Sequence, residues 1–246
     1  MIRVGLRTCL WKREAVAQRL LRHYEAMVPQ LAEHGIELIT VAVHSQDRAY
    51  LDRVRAGTSG WQFLHHKNAP LREKLRAGLG MLRDRDILFA LNIGGDDFVG
   101  LPSFLRLVKE FQDGADFTGW STAYIAHAQK GVHFWPGYRG ARSPEPFGPG
   151  RGLSPRLLDA LEWDPWRNAP FKNMDGTYWK RLKALCPDAD KRCLSSEELG
   201  PIVDVKDAES FTPWHRTAPY NKTLTLDEGQ AVLEQVGLGD LLEAKR

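Results

Sequence analysis

The chain has 246 residues, 43% hydrophobic and 26% charged, which is the balance of a globular protein and excludes a disordered one. Its apolar runs reach only about half a dozen residues, far short of the roughly 20 that a membrane-spanning helix requires. The net charge of +3 is too small to be a nucleic-acid footprint by itself. Cys9, Cys186 and Cys193 are odd in number and lack Cys-x-x-Cys spacing, so reduced thiols are expected rather than disulfides or a thiolate zinc site.

Ile2–Leu6 reads as a first strand, without the apolar region and cleavage site of a signal peptide, and a cytoplasmic location is expected. From Lys12, the residues Val16, Leu20, Tyr24, Met27, Val28 and Leu31 recur at three- and four-residue steps, which predicts a helix with one apolar face. Gly35 sits where a glycine would terminate it. The continuous run Ile36–Val43 fits a strand buried on both faces of a parallel sheet, and these segments together make a βαβ unit. A short strand at Trp61–Leu64 precedes a helix opened by Pro70, with Leu71, Leu75, Leu79 and Leu82 on one face. Ile87–Leu91 is the most hydrophobic strand and leads into Asn92-Ile93-Gly94-Gly95-Asp96-Asp97; a helix carrying Phe104, Leu107, Val108 and Phe111 follows.

After Asp116 aromatic and turn residues dominate. Strand-like alternation occurs at Trp120–Ala126 and His133–Trp135, and a Gly- and Pro-rich loop runs to Gly152. Between Tyr138 and Arg156 lie Arg139, Arg142, Arg151 and Arg156 against one acid, Glu145, which makes either a basic patch for an anionic acceptor or a solvated loop. Helices are predicted at Pro155–Leu161 and Gly176–Leu185, and a strand at Ile202–Val205. A last helix opens with the box Thr225-x-x-Glu228 and ends before Gly237. The sequon Asn221-Lys222-Thr223 has no meaning in a cytoplasmic protein.

Alternating βα units predict an α/β fold whose ligands bind at the carboxyl ends of its strands. Asp96 and Asp97 stand at such an end, behind two glycines that permit a sharp turn or a close approach. Adjacent carboxylates repel, and a divalent cation with oxygen preference, Mg2+ or Mn2+, relieves that repulsion. The competing reading has Asp96 capping the helix near Leu101 while Asp97 faces solvent.

In this order the motifs resemble the GT-A glycosyltransferases, particularly the family 2-like enzymes, over roughly residues 2–206. The resemblance rests on Gly94-Gly95-Asp96-Asp97 after a buried strand and on Leu6-Arg7-Thr8-Cys9-Leu10-Trp11-Lys12-Arg13-Glu14. It extends to Asn68-Ala69-Pro70-Leu71-Arg72-Glu73-Lys74 and to Gly148-Pro149-Gly150-Arg151-Gly152-Leu153-Ser154. It implies a single GT-A domain with a Rossmann-like, mixed but mostly parallel sheet flanked by helices. Residues 1–116 would form the nucleotide-sugar half, 117–215 the acceptor half and 216–246 a C-terminal helical tail.

The resemblance further implies Asp97 as metal ligand, with Asp96 at the ribose or reaching the metal through water. Thr8 and Arg13 would lie beside the nucleotide base, and Lys74, Arg151 and Lys206 near phosphate. Asp175, in Lys172-Asn173-Met174-Asp175-Gly176, would be the acceptor-side base, with Asp164 and Glu162 as fallbacks; the other reading of Asp175 is a helix N-cap. Two departures matter. Gly95 stands where relatives carry serine, and no Gln-x-x-Arg-Trp motif of processive synthases occurs.

The function implied is transfer of one sugar from a nucleoside-diphosphate sugar, foremost a UDP-sugar, by an inverting, non-processive and metal-dependent reaction. The acceptor would be a glycan, a lipid-linked saccharide or DNA bearing hydroxymethylated pyrimidines, for which the arginine-rich aromatic loop would suit an extruded base. A nucleotidyltransferase and a non-catalytic nucleotide-sugar-binding module are the alternatives; the first should carry a Gly-rich phosphate loop after strand one, where Leu6-Arg7-Thr8-Cys9 stands instead. His65, His66 and His133 lack metal-ligand spacing, and Trp120, Tyr124, Phe134, Trp135 and Tyr138 are expected to be mostly core.

Overall fold

A computed structural model describes residues 1–170, 173–210 and 222–245. In chain order the elements are β1 (Ile2–Leu10), α1 (Glu14–Glu33), β2 (Ile36–His44), α2 (Arg48–Val54), β3 (Trp61–His65) and α3 (Leu71–Gly80). They continue with β4 (Phe89–Asn92), β5 (Asp97–Val99), α4 (Leu101–Gln112), β6 (Phe117–Trp120), β7 (Ala123–His127), β8 (Gly131–Trp135) and β9 (Arg151–Leu153). Then come α5 (Pro155–Ala160), α6 (Met174–Leu185), β10 (Lys191–Leu194), α7 (Ser196–Leu199), β11 (Ile202–Lys206), β12 (Lys222–Thr223) and α8 (Leu226–Gln235).

The main sheet has seven strands in the order β10-β6-β9-β4-β1-β2-β3. The chain of parallel pairs β3-β2-β1-β4 is what the continuous apolar runs predict, because both faces are covered. Successive side chains of one strand feed opposite cores: Phe89 and Leu91 point into one with α1 and α4, and Ala90 into the other with α5 and α6. In α1 the buried residues Ala17, Leu20, Leu21, Tyr24, Met27 and Leu31 form the predicted stripe, and Gly35 follows the helix at φ 71°, a left-handed angle that favours glycine.

β9 runs antiparallel between β4 and β6, so its first residue, Arg151, lies opposite Asn92, the last residue of β4. A second sheet has the order β12-β8-β7-β11-β5. Strands from both sides of residue 116 mix, since β6, β9 and β10 join the main sheet while β5 joins the second. α8 bears the predicted capping box and buries Val232 and Leu233 in the first core; the expected boundary at residue 216 lies outside the described residues, as do Lys172 and Asn221.

Three local expectations change. The N-cap of α4 is Gly100, not Asp96, because Asp97 opens β5 instead of preceding a helix directly. Asp97 is fully buried rather than solvent-facing. Asp175 is the second residue of α6, whose cap position is Asn173, so the reading of Asp175 as the N-cap fails. Among the described residues no helix is long and apolar enough to cross a membrane.

Candidate active site

The chain leaves β4 at Asn92 and re-emerges as β5 at Asp97, and the turn between them needs both glycines. A Cβ on Gly94 would overlap Asp97 Oδ2, which instead accepts a hydrogen bond from Gly94 N at 2.8 Å. A Cβ on Gly95 would lie 2.8 Å from the Cys9 carbonyl oxygen. This contact explains the departure from the serine-containing pattern: β1 passes too close to admit a side chain. Thr8 Oγ1, buried on β1, donates to Gly94 O at 3.2 Å and fastens the turn to the sheet.

β5 pairs antiparallel with β11, and the register sets Asp97 opposite Asp204. With Asp96 they form a group whose carboxylate oxygens lie within 4.8 Å of one another. Asp204 was not anticipated. Its signal was present, since an acid inside an apolar five-residue strand with a lysine two positions on puts both charges on one face. Lys206 Nζ lies 2.6 Å from Asp204 Oδ2 and 3.7 Å from Asp96 Oδ2.

Arg13 is a four-way strut. Its Nη1 meets Asp96 Oδ2 at 2.5 Å, Nη2 donates to Val205 O at 2.6 Å, Nε donates to Asp207 at 3.0 Å, and its backbone N–H reaches Glu209 at 3.2 Å. It does so from a left-handed backbone, φ 47°, following Lys12 at φ 53°. Such conformations cost about 1 kcal/mol or more per non-glycine residue and persist where surrounding bonds hold them.

Three carboxylates, Asp97 and Asp204 buried and Asp96 partly so, against two cations leave the cluster short of positive charge. Burial, then the charges of Asp96 and Asp204, push the Asp97 carboxyl well above its ordinary range. Burial and Asp96 raise Asp204 to about 7 against the opposing pull of Lys206. Burial also works against Asp96, but Lys206 and Arg13 together hold it below the usual range. Asp97 Oδ1 and Asp204 Oδ1 are buried without a hydrogen-bond partner. Orphaned carboxylate oxygens in an over-acidic cluster fit a hard divalent cation.

The other anticipated residues fall into two separate places. Lys74 is fully buried, donates to Leu10 O at 2.7 Å and sits 3.3 Å from Asn68 Oδ1, with burial lowering its amine to about 8. No carboxylate lies within ion-pair distance of it among the described residues. Arg151 and Asp175 face each other, Nη1 to Oδ1 at 3.5 Å, with Arg151 buried and Asp175 45% exposed. Asn92 links this pair to the acidic turn: its Nδ2 donates to Arg151 O at 3.2 Å and its O accepts from Gly150 N at 2.7 Å. Of the fallbacks, Asp164 is 3.6 Å from Arg167 and 3.9 Å from Arg76, and Glu162 pairs with Arg167 at 2.8 Å.

The arginine-rich loop is less basic than its composition. Arg142 pairs with Glu145 at 2.6 Å, Arg156 pairs with Asp116, and Arg151 is buried, leaving Arg139 exposed. Trp120 is core, its Nε1 bonded to Gly200 O at 2.8 Å, while Trp135, Tyr138 and Phe147 form a half-buried aromatic group with centroid separations of 4.9 and 5.0 Å. The triad Asp96, Asp97 and Asp204 is the acidic or histidine cluster of metal-binding size among the described residues. A groove of about 840 Å3 between α1 and α8, lined by Arg19, His23 and Gln235 among others, contains none of these carboxylates.

No protein-family model matches the sequence, and no curated protein does. Solved structures do match by shape. The mannosyltransferase PcManGT from Pyrobaculum calidifontis, solved with GDP-Man and Mn2+, aligns with TM-score 0.54 and 12% identity over 97% of this chain and 68% of that one. S. aureus TarS (residues 1–349) aligns with TM-score 0.51 and 9% identity over 98% of this chain. The chain spans 66% of that TarS structure, slightly under two thirds. A 4-diphosphocytidyl-2C-methyl-D-erythritol synthase from Anaerococcus prevotii aligns with TM-score 0.49 and 9% identity over 100% of this chain and 96% of that one. The fold is therefore the GT-A-type mixed α/β fold, a helix-flanked sheet with the acidic turn at the carboxyl end of β4.

Proposed function

We propose that this chain is a divalent-cation-dependent glycosyltransferase that moves one sugar from a nucleoside-diphosphate sugar, foremost a UDP-sugar, to an acceptor hydroxyl. The observation that carries the proposal is the triad Asp96, Asp97 and Asp204, with two buried and unpartnered carboxylate oxygens, at the strand end where α/β folds bind ligands. Asp97 and Asp204 would hold Mn2+ or Mg2+, with Asp96 beside them. A divalent cation bound there supplies positive charge to the diphosphate of the departing nucleotide.

The protein's own residues do the rest. Lys206, held by Asp204 and Asp96, adds a positive group at the diphosphate end, and Thr8 and Arg13 fix the turn and the neighbouring loop. Asp175 takes the acceptor hydroxyl proton as that oxygen bonds to the sugar's anomeric carbon and the bond to the diphosphate breaks. Attack from the face opposite the leaving group inverts the anomeric centre. Arg151, 3.5 Å from Asp175, would support that carboxylate.

The acceptor is best read as a glycan or a lipid-linked saccharide. The aromatic group at Trp135, Tyr138 and Phe147 suits a sugar ring, whereas the internal pairing of Arg142 and Arg156 removes the charge that a DNA acceptor would need. A panel of nucleoside-diphosphate sugars with Mn2+ tests the reading. Metal-dependent release of nucleoside diphosphate is expected from at least one donor, and EDTA should abolish it. Release of pyrophosphate from a nucleoside triphosphate would make it a nucleotidyltransferase instead; donor binding without turnover would leave a binding module.

A further inference from the structure

We infer that Glu145 is a positioning residue for Asp175, acting through Arg151 so that this buried guanidinium does not close a tight ion pair on the Asp175 carboxylate. The inference rests on the proposed role of Asp175 as the acceptor-side base.

Arg151 is held rigidly by neutral partners. Its Nε donates to Phe147 O at 2.9 Å and its Nη2 to Pro146 O at 2.8 Å, while its Nη1 is buried without a hydrogen bond. Carbonyls fix the plane of a guanidinium but do not neutralise it, and a buried cation demands a counter-charge. Two carboxylates flank it. Glu145 Oε1 is 3.6 Å from Nη2, and Asp175 Oδ1 is 3.5 Å from Nη1. Glu145 is itself buried, an unusual place for an acid in a surface loop, and Arg142 grips it with two bonds of 2.7 and 2.6 Å while lying 3.5 Å over the Tyr138 ring. The four charges form a row, Arg142, Glu145, Arg151 and Asp175, alternating in sign.

The row has a consequence for the last member. An Asp paired closely with a lone Arg is held about one to three pH units below its ordinary range and becomes a poor proton acceptor. Glu145 offsets the Arg151 field, and the Arg151–Asp175 separation of 3.5 Å is longer than a charge-assisted hydrogen bond. Gly148 completes the arrangement, since a Cβ there would approach Asp175 Oδ2 at 2.7 Å. Among the described residues, the phenols of Tyr138 in the loop and Tyr178 on α6 also face Asp175. Burial, followed by smaller effects of the neighbouring charges, raises both above the ordinary phenol range. Neither ionises near neutrality, which leaves Arg151 as the charged group paired with Asp175 among the described residues.

The test is transfer kinetics against pH with the full chain, Mn2+ and the donor found active in the panel. Glu145→Gln keeps the shape but removes the charge. The expected result is an acid limb of the kcat profile moved about one unit downward, with plateau kcat reduced roughly threefold to tenfold as the base weakens. Donor KM should change less than about twofold, and Glu145→Asp should restore most of the profile. Arg142→Gln removes the opposite charge from a half-exposed position and should move the limb upward, which keeps the inference testable if Glu145→Gln folds poorly. An unmoved limb in both variants, or a shift in the same direction in both, overturns it and leaves Glu145 as a loop staple. Full transfer by Asp175→Asn would instead remove the base reading itself, so the two failures are distinct.

Discussion

Replacing Asp97 with Asn should make the metal-free protein more stable while destroying metal binding. Asn Oδ1 can retain the hydrogen bond from Gly94 N, and its amide can donate toward the Asp204 carboxylate on the facing strand. Two unit charges no more than 4.8 Å apart, the limit of the triad's ligand atoms, repel by about 3 kcal/mol or more at an effective dielectric of 20. Lys206 and Arg13 offset part of this, which leaves a gain of about 1–3 kcal/mol and a melting temperature higher by about 2–10 °C for a chain of this size. The gain depends on pH with a definite sign. Asp97 and Asp204 both have folded pKa values raised above their unfolded ones, so the metal-free wild type is favoured at low pH and loses stability as pH rises above about 4, the Asp204 share being lost by about 7. Calorimetric melts of wild type and Asp97→Asn in EDTA at pH 5 and pH 8, repeated with Mn2+, measure it. The advantage of the variant should grow with pH in EDTA, and Mn2+ should raise the wild type alone. A variant less stable than wild type in EDTA at pH 8, or one protected equally by Mn2+, would refute the assignment of the triad as the metal site.

Asp175→Asn should abolish transfer while leaving slow donor hydrolysis and donor affinity within about twofold, read by nucleoside diphosphate release with and without acceptor. Gly95→Ser, which would supply the hydroxyl seen in the related pattern, should instead destabilise by about 1–3 kcal/mol because its Cβ meets the Cys9 carbonyl; a lower urea midpoint checks this. Lys74→Met tests the buried amine. Its folded pKa, lowered by burial to about 8, means that wild-type stability is fully present above the unfolded value near 10.5 and is lost as pH falls through about 8. Relative to the variant, the wild type should therefore gain stability between pH 7 and pH 10 in urea titrations.

Much of this was readable along the chain because the signals are local. The stripe of α1, the buried runs of β2 and β4, and the Thr225–Glu228 box each need only neighbouring residues, and the end of β4 located Asp96 and Asp97. What escaped depends on pairing across long separations. β5 is three residues long and exists as a strand because β11, a hundred residues on, lies beside it; that pairing alone makes Asp204 a neighbour of Asp97. The reading of Asp97 as solvent-facing failed for the same reason. The arginine-rich loop misled by composition, since Arg142, Arg151 and Arg156 find their partners through the path of the loop and through Asp116 rather than through any sequence period.

The reversed strand β9 gives the sheet edge a particular economy. A loop leaving a parallel strand and a loop arriving at a reversed one meet at the same margin, so Asn92 and Arg151, drawn from distant stretches, stand on adjoining strand ends, with Asp97 one turn beyond Asn92. The acidic turn and the Arg151–Asp175 pair thus share a frame without sharing a loop. Insertions or substitutions between Trp135 and Gly150 can change that loop while the carboxylates of β5 and β11 stay where the second sheet pins them.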